Sequence, residues 1–169
     1  MNLLATLKDA DLGFNDPSPA VYKERYASRA IVFDADRKIA LLHVSKKQFH
    51  KLPGGGIEEG EDVASGLARE LVEEIGCTAG NLRELGMIEE YRNRFEQHQT
   101  SYCYLADLVG EKGTPKFEPD EIADGFEPVW MSLEDAIATL EGESDVKDYG
   151  GKFMRTRDAI FLKAALKAV

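Results

Sequence analysis

The segment Gly55-Gly56-Ile57-Glu58-Glu59-Gly60-Glu61-Asp62-Val63-Ala64-Ser65-Gly66-Leu67-Ala68-Arg69-Glu70-Leu71-Val72-Glu73-Glu74-Ile75-Gly76-Cys77 is a glycine-rich loop that runs into an acid-rich helix. Asp62 is suited to cap the helix N-terminus and Gly76 to end it. Val63, Leu67, Leu71 and Ile75 recur at helical spacing and form the stripe that faces the core. Glu70, Glu73 and Glu74 stand at i, i+3 and i+4, within a sector of roughly 100° beside that stripe. The carboxylates are therefore expected at the rim of the buried face, where a cleft opens.

Three like charges at that spacing repel one another, more strongly as the local dielectric falls. A divalent cation removes the difficulty, and hard oxygen donors suit Mg²⁺ or Mn²⁺. Gly66 lies one turn before Glu70, where glycine costs about 1 kcal/mol against alanine. Two reasons for it remain open: space for metal or phosphate, or close packing against a neighbouring element. Arg69 can reach Glu73 and, across the loop, Glu61. Its planar fork of donors suits holding carboxylates at fixed angles, though an ordinary surface ion pair would look the same in sequence.

Outward from this segment, Ala30 to Phe33 and Ile39 to Val44 read as two buried strands joined by the polar turn Asp34 to Lys38. Ser45 to His50 reads as a polar connection leading to Leu52-Pro53-Gly54. Downstream, Leu85 to Tyr91, Thr100 to Val109 and Phe126 to Met131 are strand candidates. Gly110 to Asp124 reads as a loop. Ser132 caps a helix over Leu133 to Leu140. A last helix from about Met154 to Ala168 would turn Ile160, Phe161, Ala164, Ala165 and Ala168 inward. The first 25 residues read as a mixed lead-in. Interleaved strands and helices predict an α/β (α+β) fold, a mixed sheet flanked by helices. No linker divides the chain, so residues 1–169 are expected to form one domain with a core of about Arg29 to Leu140.

At 169 residues, 43% hydrophobic and 31% charged, the chain is in the ordinary globular range. Its net charge of −10 argues against nucleic acid polymers and anionic membranes as partners, both of which call for a basic face. A small phosphorylated substrate stays compatible when divalent metal lies between the two sets of negative charge. No run approaches the roughly 20 apolar residues of a membrane span. The start lacks a signal-peptide pattern, so a cytoplasmic address is expected. Cys77 and Cys103 read as free thiols.

Gly55, Glu61, Arg69-Glu70, Leu71, Glu73-Glu74, Gly76 and Cys77 together resemble the Nudix box, all nine specified positions within 23 residues being matched. Leu52-Pro53-Gly54 resembles the family's lead-in, and the surrounding elements resemble the Nudix fold, a mixed β-sheet sandwiched between α-helices. The resemblance implies a MutT-like, Mg²⁺-dependent hydrolase (Mn²⁺ a substitute) acting on a phosphoanhydride of a nucleoside diphosphate-linked or nucleoside triphosphate compound and releasing a nucleoside monophosphate. It implies that Glu70, Glu73 and Glu74 ligate metal together with the Gly54 carbonyl. Glu61 and Arg69 would hold loop and helix in register, with Gly55 and Gly76 giving structural support. A later acid would add a ligand or the general base: Glu121, or alternatively Asp120. The competing reading is a Nudix-fold module that senses a nucleotide without cutting it. The retention of every box acid favours the enzyme.

The box does not name the substrate. Arg29, Lys46, Lys47, His50 and Lys51 are candidates near the phosphates, and Gly55 offers backbone there. Tyr91, 15 residues past Gly76, faintly resembles a tyrosine of dinucleoside polyphosphate hydrolases. Phe95, Tyr102 and Tyr104 could stack on a base or simply pack. The C-terminal helix, with Arg155, Arg157 and Lys163, would cover the pocket, pack on the core or form a homodimer interface.

Overall fold

The computed structural model describes all 169 residues. Seven strands form one mixed sheet: β1 (Leu3–Lys8), β2 (Lys23–Phe33), β3 (Ile39–Val44), β4 (Phe49–Lys51), β5 (Thr78–Arg92), β6 (Gln97–Val109) and β7 (Phe126–Met131). Their order is β1-β5-β6-β2-β3-β4, with β7 on the other edge of β3. The helices are α1 (Val63–Ile75), α2 (Pro119–Asp124), α3 (Leu133–Gly142) and α4 (Tyr149–Leu166).

Strand periodicity builds the two sides of the core. Ala30, Val32, Ala40 and Leu42 pack against Leu67, Leu71 and Ile75 of α1. Ile31, Phe33, Ile39 and Leu41 point the other way and pack with α3 and α4 through Leu133, Leu140, Phe153 and Phe161. Because both faces of the central strands are covered, Ala30 to Phe33 is an unbroken apolar run. The two cysteines are free and buried, one on each side of the sheet.

Several boundaries depart from the sequence reading. The N-terminal lead-in contains β1, which pairs in parallel with β5 from Leu3↔Met87 to Lys8↔Tyr91. β2 begins at Lys23, seven residues before its apolar run, because it pairs with β6 along its whole length. Part of the polar connection before Leu52 is β4, and the loop before Gly125 contains α2. α4 begins at Tyr149, capped by Asp148, and buries Phe153, Arg157, Asp158, Phe161, Leu162 and Ala165. Ala168, expected inside, is exposed. Two charged residues on the buried stripe of α4 blurred its apolar period.

Candidate active site

The α1 helix starts where its chemistry dictates. The Asp62 side chain accepts the Ser65 N–H at 2.8 Å, and Gly76 adopts the left-handed conformation, φ 64°, that closes the other end. Arg69 is the centre of the motif. Its Nε and Nη2 donate to the Glu61 carboxylate at 2.9 and 3.1 Å, and Nη1 donates to Glu70 at 3.0 Å and Glu73 at 3.1 Å. Nη2 also reaches the Gly56 carbonyl at 3.1 Å, tying helix to loop. The hydrogen bonds from Arg69, aided by the Glu58 N–H, hold Glu61 down at a pKa of about 2. Gly66 belongs to this arrangement: a Cβ there would come 3.0 Å from Glu61 Oε2. Close packing, the second of the two reasons left open, explains that glycine.

The loop glycines let the backbone approach the acids. Gly54 has φ 124°, and a side chain on it would collide with the Ser28 carbonyl. A Cβ on Gly55 would overlap the Glu70 carboxylate. Glu74 is buried, and both its oxygens are engaged: Lys51 Nζ donates at 2.6 Å and the Gly54 N–H at 2.5 Å.

These groups open onto a cavity of about 450 Å³. Glu70, Glu74 and Glu121 line it beside Gly54 and Gly55, while Arg25, Arg29, Lys51 and Arg92 supply a basic wall. A smaller adjoining cavity, about 230 Å³, is lined by Glu70, Glu73, Glu118, Glu121 and Arg69. Glu70 and Glu121 thus face both. Burial, then the charge of Glu74, raises the pKa of Glu70. Burial also raises Glu121, with Glu74 and Glu70 adding to it. Asp120, the alternative to Glu121, is exposed and lines neither cavity.

The donor set is chemically right for a hard divalent cation: carboxylates crowded enough to repel one another around a polar cavity. The side chains as placed do not bring three donors onto one point. Arg69 holds Glu70 and Glu73, and Lys51 draws Glu74 inward, so these cations occupy the carboxylate oxygens.

Of the residues expected near substrate, Arg29, Lys51 and Gly55 line the cavity. Lys51 is paired with Glu74 instead of projecting freely. Tyr91 is not at this site. Successive side chains alternate across β5, so Arg92 faces the cavity and Tyr91 the reverse side. There it stacks on His98, ring centroids 4.4 Å apart, and lines a separate cavity of about 650 Å³ with Thr6, Lys8 and Asn93. That larger cavity holds none of the box acids. Lys47 and His50 are paired with Asp124 and Glu143, also outside the site. Phe95 lines the cavity but Tyr102 and Tyr104 do not.

Sequence reasoning missed Arg25, Glu90, Arg92, Gln99 and Asp158, and named Arg157 only as one of three bases on the C-terminal helix. Glu90, Arg157 and Asp158 are fully buried, and Asp158 accepts the Leu52 N–H at 2.8 Å, holding the loop that carries Gly54. The available signal was polar residues at every second position in Glu90–Arg92 and Gln99–Ser101, a pattern that puts them on one face of their strands.

A family model described as the NUDIX domain matches residues 23–149. The chain belongs to the Nudix family. Among curated relatives, human diphosphoinositol polyphosphate phosphohydrolase 3-beta is 31% identical over 126 residues, covering 73% of this chain and 72% of the relative. Mouse diphosphoinositol polyphosphate phosphohydrolase 3-alpha is 30% identical with the same coverage. The solved structure of a MutT protein from Methanosarcina mazei Go1 shares the fold, with TM-score 0.57 and 19% identity, covering 89% of this chain and 99% of that one. The protein is accordingly a Nudix pyrophosphohydrolase with the family's α+β architecture. The family span ends where α4 begins, so Arg157 and Asp158 lie beyond it. No helix is long and apolar enough to cross a membrane.

Proposed function

We propose that this Nudix protein hydrolyses a phosphoanhydride bond in a nucleoside diphosphate-linked or nucleoside triphosphate compound, with Mg²⁺ as cofactor and Mn²⁺ as a substitute, and releases a nucleoside monophosphate. The observation that carries this reading is the position of Glu70. It faces both acidic cavities, touches Arg69, lies against the glycine loop and carries a pKa raised by burial and by Glu74. Such a carboxylate is suited to hold a metal or to take a proton.

Glu70, Glu73 and Glu74, with the Gly54 carbonyl, would hold the metal. When bound, it supplies charge neutralisation on the anhydride oxygens and a lower pKa for water. Glu121 or Glu70 accepts the proton of the attacking water. Arg69 and Glu61 keep the carboxylates and loop in register, and Gly55 leaves room for the Glu70 carboxylate. Arg29 and the other bases of the cavity wall orient the substrate phosphates. The cytoplasm is the matching compartment for a nucleotide substrate.

The test is hydrolysis of dNTPs, ADP-ribose, nucleotide sugars and dinucleoside polyphosphates with and without Mg²⁺. Metal-dependent release of a nucleoside monophosphate from one group is the expected result. Nucleotide binding by thermal shift with no cleavage of any group would replace the enzyme with a sensing module.

A further inference from the structure

We propose that Asp158 of α4 is a positioning residue for the reaction: its carboxylate sets the backbone of the glycine loop so that the Gly54 carbonyl is presented to the metal. The inference rests on the hydrolase reading above and adds to it a residue outside the matched segment 23–149.

The first observation is where the amide hydrogen bonds of the loop go. β4 ends at Lys51, and the next N–H, that of Leu52, donates to Asp158 Oδ2 at 2.8 Å. Pro53 has no N–H to place. The Gly54 N–H donates to Glu74 Oε2. Every amide donor of residues 52–54 is thus taken by a buried carboxylate, one from α4 and one from α1. The two helices pack on opposite faces of the sheet. β2 fixes the carbonyls on either side of Gly54: Pro53 accepts the Ala30 N–H at 3.2 Å and Gly55 the Ser28 N–H at 3.0 Å. The Gly54 carbonyl between them takes no part in these bonds.

The second is that packing alone does not call for Asp158. It is fully buried, and its other oxygen accepts Arg157 Nε at 2.7 Å. Arg157 is buried as well, and its Nη1 reaches Glu90 at 3.4 Å. Buried ion pairs of this kind are often no more stabilising than apolar side chains of the same volume. Leu52 already lies in the apolar core with Phe153, Phe161 and Leu162 of α4. Those contacts hold the leucine side chain without a charge. What the carboxylate adds is direction: an ionised acceptor gives a short, strong bond that fixes the plane of the Lys51–Leu52 peptide.

The third is where that peptide leads. The Lys51 side chain donates to Glu74 Oε1 at 2.6 Å, and the other Glu74 oxygen holds Gly54. Asp158 therefore fixes the backbone of the residue that in turn holds Glu74. Gly54, Lys51 and Glu74 line the active-site cavity, and Asp158 does not. Its influence on the chemistry passes through the loop.

The experiment measures Mn²⁺ binding to the full chain by the electron paramagnetic resonance of free Mn²⁺, with amide exchange of residues 52–56 followed in parallel. Asp158→Ala should weaken Mn²⁺ binding by about 10–100-fold, the range typical of partners that orient a metal ligand. Exchange at Leu52 and Gly54 should quicken. Asp158→Asn, whose amide oxygen can still accept the Leu52 N–H, should recover part of the affinity. Leu140→Ala removes buried core packing on α3 without touching the loop, and should lower the melting temperature while leaving Mn²⁺ affinity unchanged. If Asp158→Ala does not fold, Asp158→Asn should still bind Mn²⁺ more weakly than Leu140→Ala. Wild-type Mn²⁺ affinity in the Asp158 variants, or an equal loss in Leu140→Ala, would overturn the positioning role. Absence of Mn²⁺ binding by the wild type would remove the metal reading and this inference with it, so the two failures are told apart.

Discussion

Lys51 and Glu74 form a buried ion pair, Nζ to Oε1 2.6 Å, that joins β4 to α1 directly beneath the glycine loop. The other oxygen of Glu74 receives the Gly54 N–H. One carboxylate therefore links the strand, the helix and the loop on which the site is built.

Lys51→Met leaves Glu74 buried without a counter-charge, which should destabilise the fold by roughly 3–5 kcal/mol. At about 2–4 °C per kcal/mol for a chain of this size, the melting temperature in EDTA should fall by roughly 6–20 °C. Adding Glu74→Gln should recover part of the loss, because the stranded charge is gone. An unchanged melting temperature in the single variant would show that the pair contributes nothing.

Glu70→Gln isolates chemistry from folding. Its side chain is 12% exposed and makes one side-chain hydrogen bond, accepted from Arg69. Turnover should drop by about 10²–10⁴-fold with stability changed by roughly 1 kcal/mol or less. Glu74→Gln should lose both turnover and stability. If Glu70→Gln keeps normal metal-dependent turnover, the site is wrongly placed.

Gly54→Ala places a side chain at φ 124° and into the Ser28 carbonyl. The backbone penalty alone is roughly 1–3 kcal/mol, and the collision displaces the loop from Glu74. Melting and amide exchange across residues 52–56 should register it, with turnover lost in parallel. Full turnover would mean that the loop position is not critical.

Glu61 and Glu90 both sit at a pKa of about 2, below the ordinary 4.5. Arg69 lowers the first; burial opposes the shift in the second, but Arg157 and Arg92 outweigh it. A carboxylate depressed in the folded state binds fewer protons there than in the unfolded chain. The stability it confers is complete above about pH 4.5 and is lost as pH falls toward 2. Melting temperature should decline through that window, and Glu61→Gln should flatten the decline. An equally steep decline in that variant would remove Glu61 from the explanation.

The box region was legible because its information is local. The spacing of Asp62, Arg69, Glu70, Glu73, Glu74 and Gly76 on a regular helix sets the cap, the acidic sector and the core stripe before anything packs against it. The central strands were equally plain, since burial on both faces writes a continuous apolar run. β1 was not, because its place at the sheet edge depends on pairing with β5, some 80 residues away.

What the sequence by itself determined is the Nudix chemistry: which carboxylates share a face, and that Arg69 can reach them. Tertiary structure decided what surrounds them. It turned Tyr91 to the reverse side of β5, joined Lys51 to Glu74, and buried Arg157 and Asp158 from the far end of the chain beneath the loop. The physical reason is range. Helix geometry fixes neighbours within a few residues, whereas the partner of a buried charge is set by which elements the sheet brings together.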